Sequence, residues 1–243
     1  MEIRFDVTAQ KCGFRIGVLA LILMFACAGN AMALSYSAKP ITATVLDAET
    51  GKPVEGVIVN AYWHLEDQGG HGLGPFNVTE AVTDSNGGFF MPGWGPMEVP
   101  QYPSQPFLRA RLDPNQPWLQ LFKHGYKFEM VQGDESTSYL DNPFWTGSPV
   151  RESAWDGKVI KIERFQGSDR QYVNHLHGVR VSVPTTRCWW LKNPRMTAAL
   201  IREGERLKSV TGRNEILSFE DVMEYDKGRS CVQSRAIIEE LLR

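Results

Sequence analysis

Histidines and tryptophans are the side chains of this 243-residue chain with the most obvious chemistry. His175 and His177 stand two apart in Tyr-Val-Asn-His-Leu-His. On a strand, residues two apart point the same way, so both imidazoles could reach one metal ion. Val179, Val181 and Val183 continue the same parity, which fits hydrogen-bonded, partly buried histidines better than metal ligands. The five histidines are His64, His71, His124, His175 and His177, and none stands in H-x-x-E or H-E-x-x-H spacing. A zinc site needs three or four converging ligands, so a metallopeptidase of those types is excluded. His-Leu-Glu-Asp-Gln-Gly-Gly-His-Gly-Leu-Gly-Pro-Phe, residues 64–76, puts His64, Glu66, Asp67 and His71 around a glycine-rich loop. Glycine is expected where a loop joins two strands. A phosphate loop would need a helix N-terminus after it, and none is suggested. The loop therefore reads as a hairpin tip, with ligand contact through His64 and His71 as the alternative.

Five of the seven tryptophans lie in short stretches that also hold Pro or Gly, and Trp94, Trp118 and Trp145 fall in expected loops. Such rings can form a platform for glycans or peptides, or cap the open ends of a small sandwich. No G-x-S-x-G elbow occurs, and no Cys–His nucleophile remains once the cysteines pair. No catalytic residue and no cofactor are expected from these patterns.

The elements that must position these side chains read as short strands. Ile41, Ala43 and Val45 alternate with Thr42 and Thr44. Val57, Val59, Ala61 and Trp63 alternate with Ile58, Asn60, Tyr62 and His64. This period of two marks half-buried strands. Gly51 and Pro53 supply the turn between them. Asp84-Ser85-Asn86-Gly87-Gly88 reads as a hairpin turn before a strand at Phe89. Further alternation occurs at 107–113, 125–132 and 157–165. Six or seven short strands divided by turn residues argue an antiparallel β-sandwich. After residue 185 the periodicity becomes helical. Asn193 and Pro194 open a helix that Gly212 closes, a second starts at Ser218, and a third starts near Ser230.

Residues 1–33 have the make-up of a secretory signal peptide. Arg4, Lys11 and Arg15 precede an apolar run from Ile16, and Ala31-Met32-Ala33 forms a small-residue cleavage site. An uncleaved anchor, or lipidation at Cys27, would make the chain membrane-bound. All three readings place the body in the periplasm or outside the cell. Removing this leader takes the formal net charge from −2 to −3. With no cluster of Lys and Arg, nucleic acid is not an expected partner. Cys12 and Cys27 fall in the leader, and Cys188 and Cys231 are left to form one disulfide in an oxidising compartment. Such a loop closure is worth on the order of 4 kcal/mol.

Three motifs carry a family resemblance. Asp47 to Val59 fits D-x-x-T-G-x-P-V-x-G-V-x-V. Thr83, Asp84, Gly87 and Phe89 fit T-D-x-x-G-x-F, and Gly125-Tyr126 fits a late Gly-Tyr pair. In these the chain resembles the carboxypeptidase regulatory-like domain. The resemblance implies a mainly-β, transthyretin-like antiparallel sandwich over residues 40–166, to which this chain adds a C-terminal α-helical extension over 185–243 clamped by the disulfide. It implies an accessory rather than a peptidase. The expected role is thus a non-catalytic module of the cell envelope, meeting an unknown protein or glycan partner through Trp94, Trp118 and Trp145. The alternative is a small-ligand or metal carrier using its histidines.

Overall fold

The computed structural model describes residues 34–102, 104–105, 107–113, 116–132, 150–182, 191–212, 216–219 and 232–243. Strand β1 (Ser35–Ala38) is flanked by β6 (Trp94–Glu98) and β10 (Val150–Arg151) in one small sheet. Strand β2 (Ile41–Asp47) lies between β5 (Gly88–Met91) and β11 (Val159–Ile162) in a second. The third sheet runs β4 (Gly72–Val82), β3 (Ile58–Glu66), β8 (Trp118–Phe122), β9 (Glu129–Val131), with β7 (Arg111–Leu112) paired to the end of β3. The pairings β1–β10 and β2–β11 are parallel; the rest are antiparallel.

Period two places the inward side chains. Ile41, Ala43 and Val45 of β2 meet Val59, Ala61, Trp63 and Leu65 of β3 and Leu119 and Leu121 of β8 in one buried core, joined by Phe89, Met91, Ile160 and Ile162. Burying each large apolar side chain contributes roughly 1.5–3 kcal/mol. The fold class read from the sequence is the observed one: mainly β, a sandwich with a helical extension.

Two turns fix the strands. At 84–88, Asp84 Oδ1 accepts the N–H groups of Asn86 and Gly88, both at 2.8 Å. Gly87 has φ 72°, and a Cβ there would lie 2.4 Å from the Val45 carbonyl oxygen, so only glycine fits. At the end of β2, Asp47 is buried and collects five donors. Its Oδ1 accepts Glu49 N–H (3.1 Å), Thr50 N–H (2.9 Å) and the Thr50 hydroxyl (3.0 Å). Its Oδ2 accepts the Tyr126 hydroxyl and Arg164 Nε, both at 2.9 Å. The Asp and the Gly-Tyr pair of the sequence motifs are therefore one hydrogen-bonded unit.

The helical extension covers the far face of the third sheet. Helix α1 (Asp169–Ser182), α2 (Pro194–Thr211) and α3 (Val232–Leu242) bury Tyr172, Val173, Leu176, Met196, Leu200, Ile201, Leu207 and Ile238 against Phe122, with Ile58 beside them. Strand β3 is thereby packed on both faces, where the sequence pattern predicts one. Asn193 and Pro194 begin α2 as expected, but the Asn193 side chain makes no cap. Instead Glu80 of β4 accepts the amides of Arg195 (3.1 Å) and Met196 (2.8 Å). A carboxylate from the sheet thus satisfies amides that the helix start leaves unpaired.

Several expectations are corrected. Residues 175–177 are helical, not extended. The strand expected over 107–113 is only Arg111–Leu112. Trp118 opens a central strand, not a loop. Cys188, Cys231, Trp145 and the leader lie outside the described residues. Among those described, no helix is long and apolar enough to cross a membrane.

Candidate functional site

The outer face of the third sheet changes character along its length. Nearest the helical core, Ile58 and Phe122 stand opposite each other. The next row is polar: Glu80, Asn60 and Gln120 are direct cross-strand neighbours on β4, β3 and β8. Then comes an aromatic row, Tyr62 opposite Trp118. Beyond it lie His64 and the buried Glu66, whose Oε1 is 2.6 Å from Arg111 Nη2.

The polar row is sealed but incompletely bonded. Asn60, Gln120 and Asn193 are at most 3% exposed. Among the described residues, Asn60 Oδ1, Gln120 Oε1 and Asn193 Oδ1 have no hydrogen-bond partner. Their amide groups are engaged on the other side. Asn60 Nδ2 (3.3 Å) and Asn193 Nδ2 (2.7 Å) both donate to the Tyr62 hydroxyl, and Gln120 Nε2 lies 3.9 Å from Met130 Sδ. Burial pushes the Tyr62 hydroxyl up to about 12, so it keeps its proton at neutral pH. Buried oxygens of this kind normally have donors, and three on one face are a property to be explained.

His64 is half-buried beside them. Its ring stacks on Tyr62 at 5.9 Å and leans on Trp118 at 5.0 Å. Nδ1 is sealed without a partner among the described residues, whereas Nε2 is not sealed. Burial lowers the ring's proton affinity, and the Asp113 carboxylate pulls it partly back up. The backbone holds the residue in place from both sides. Gln116 Oε1 accepts the His64 N–H, Asp113 N–H donates to the His64 carbonyl at 3.1 Å, and Gln116 Nε2 donates to Asp113 Oδ2 at 3.2 Å. The arrangement offers a neutral imidazole against an aromatic wall, with a carboxylate near enough to favour its charged form.

The other sequence candidates are placed differently. His71 sits exposed at the β3–β4 tip with Nδ1 3.1 Å from both Asp67 oxygens. No described contact joins it to His64. Trp94 is packed edge-on against Trp63 (5.2 Å) and Phe76 (5.7 Å) at the rim of the core, so it is no open platform. His175 and His177 lie on α1, where residues two apart project about 200° from each other. His175 Nε2 accepts the Phe128 N–H at 2.7 Å, so the shared strand face that suggests a common ion does not exist. Among the described residues no three His, Cys, Asp or Glu side chains are grouped to hold a metal ion.

Sequence reasoning misses Asn60, Tyr62, Glu80, Gln120 and Asn193. The period-two pattern puts Asn60, Tyr62 and His64 on one face. It does not show that a helix start from far along the chain closes over that face.

No protein-family model matches the chain, and no curated protein does. Solved structures similar to it include catechol 1,2-dioxygenase from Pseudomonas arvilla C-1 (18% identity, 58% of this chain and 56% of that one, TM-score 0.32). Others are 3-chlorocatechol 1,2-dioxygenase from Rhodococcus opacus 1CP (17%, 56% and 63%, 0.31) and an intradiol ring-cleavage dioxygenase from Tetranychus urticae (14%, 57% and 86%, 0.30). The chain spans less than two thirds of the length of both catechol enzymes. At these identities and scores the likeness concerns the fold alone. The neighbours named are dioxygenases, and on that finding the expectations of a non-catalytic envelope module, of a histidine carrier and of a chain that is no enzyme are corrected.

Proposed function

We propose that this chain is an enzyme that draws a proton from a planar, hydroxyl-bearing small molecule lying on the outer face of β3 and β8, with His64 Nε2 as acceptor. The observation that supports it most is His64 itself, backed by Tyr62 and Trp118 and held by the Asp113–Gln116 segment. A flat ring stacks favourably on the indole of Trp118, which is partly exposed. In the step, the ligand O–H bond breaks, its proton passes to Nε2, and the electron pair stays on the ligand oxygen. The Asp113 carboxylate favours the imidazolium so formed, and a base whose proton affinity lies below neutrality is free to accept at pH 7. An exported location is part of the proposal, supported by the composition of residues 1–33.

The test is incubation of wild type and His64→Ala with catechol and with 4-methylphenol, followed by proton NMR and by tryptophan fluorescence. Conversion, or binding that weakens as pH falls from 8 to 5, by wild type and not by the variant supports the reading. Identical behaviour of the two proteins overturns it.

A further inference from the structure

His64 lies where β3 loses regular pairing on both sides. On one side β3 pairs with β8 as far as Tyr62 opposite Trp118, and with β7 from Leu65 opposite Leu112. Among the described residues, no strand partner stands opposite Trp63 or His64 on that side. On the other side the register slips: Trp63 faces Asn77, His64 faces Pro75, and Phe76 is skipped. Proline has no N–H to give a ladder, and a bulge re-aims the side chains beside it. Regular pairing therefore does not fix His64. A proton acceptor nonetheless needs a fixed place, since a shift of about 1 Å costs much of its effect.

Gln116 supplies what the missing strand does not. The residue is 5% exposed. Its Oε1 accepts the His64 N–H, and its Nε2 donates to Asp113 Oδ2 at 3.2 Å. The Asp113 N–H in turn donates to the His64 carbonyl at 3.1 Å. These hydrogen bonds form a closed circuit from the amide of His64 to its own carbonyl, and the Gln116 carboxamide is the link that a strand backbone would otherwise provide.

We infer that Gln116 is the positioning residue of His64: its carboxamide sets where the imidazole stands against Tyr62 and Trp118. This inference rests on the role proposed for His64, and it names a buried residue through which that role is kept.

The test compares wild type, Gln116→Met, Asp113→Asn and His64→Ala as full chains. Methionine keeps the length of the side chain but has no donor and only a weak acceptor. Asparagine at 113 keeps an oxygen for Gln116 Nε2 and removes the charge. In wild type, the His64 amide should resist hydrogen exchange to the same order as that of Ala61, which is paired on both sides. A freely exchanging His64 amide overturns the inference whether or not any variant folds. In Gln116→Met that amide should exchange about fivefold faster relative to Ala61, the size of one hydrogen bond. The His64 ring resonances should lose part of the shift that Tyr62 and Trp118 impose, those of His175 should stay, and 4-methylphenol should bind about fivefold more weakly. A purely structural role would leave the His64 ring resonances and the affinity of the folded variant at their wild-type values, and that result overturns the inference even if His64→Ala abolishes binding. In Asp113→Asn the ring resonances should keep their wild-type shifts; a change as large as in Gln116→Met would mean that the charge, not the carboxamide, places the ring. If His64→Ala binds 4-methylphenol as wild type does, the proposed function falls, and the positioning by Gln116 is decided by the ring resonances alone.

Discussion

Asp47 and Asn60 are both buried polar side chains on strands of the sandwich, and their surroundings are opposite. Asp47 receives five donors from the turn after β2, from Tyr126 and from Arg164, so both its oxygens are occupied. Asn60 gives one weak donation at 3.3 Å and its oxygen receives nothing among the described residues. A fully bonded buried group holds the fold. A group left partly bonded costs stability, since an unmet buried acceptor forfeits about 1–3 kcal/mol. Three such oxygens lie beside His64, so this region is held by packing rather than by hydrogen bonds.

The largest expected effect is at Asp47. Replacement by alanine leaves Arg164 and four further donors without their acceptor, and urea unfolding should show the largest loss of stability of any change named here. The same group sets the acid limb of stability. The Thr50 amide above all, with the Tyr126 and Thr50 hydroxyls and Arg164, holds its carboxyl well below the usual range despite burial. Its contribution is present above the unfolded value near 4 and is lost as pH falls below it. Asp47→Asn should flatten that limb; an unchanged limb would remove Asp47 from its structural role. Tyr126→Phe deletes one hydrogen bond to the same carboxylate and should cost about 1.5–3 kcal/mol, read from the denaturation midpoint.

The opposite sign is expected at the other region. Gln120→Met and Asn60→Leu remove oxygens that have no partner among the described residues, so each should leave stability within about 1 kcal/mol of wild type or raise it. A loss as large as that of Tyr126→Phe would show that the row is structural and would erase the contrast. The smallest effect is at His64. Burial lowers its proton affinity, so the folded state binds the proton less readily than the unfolded chain. Stability should therefore decline slightly as pH falls below about 6.5. His64→Ala should remove that decline.

The sandwich is legible in the sequence because period two and turn chemistry are local. Ile41-Ala43-Val45, Val59-Ala61-Trp63 and the Asp84–Gly88 turn all stand where their residue types put them. The helical extension is legible too, through Pro194 and Gly212. The segment at His175 imitates a strand because the valines at 179, 181 and 183 share its parity, while packing of Tyr172, Val173 and Leu176 beside Phe122 and Met196 makes it a helix. The site is only half legible. Asn60, Tyr62 and His64 share a face by pattern, and Trp118 stands out by type. Their convergence depends on β8 pairing with β3 and on Asn193 arriving from far along the chain, and neither is a local property.

The most direct test follows the ring resonances of His64 and His175 and the indole of Trp118 by NMR as 4-methylphenol is added. His64 and Trp118 should shift saturably together while His175, tied to the Phe128 amide, stays still. A His64 signal that does not move when 4-methylphenol is in excess would contradict the binding face proposed for β3 and β8.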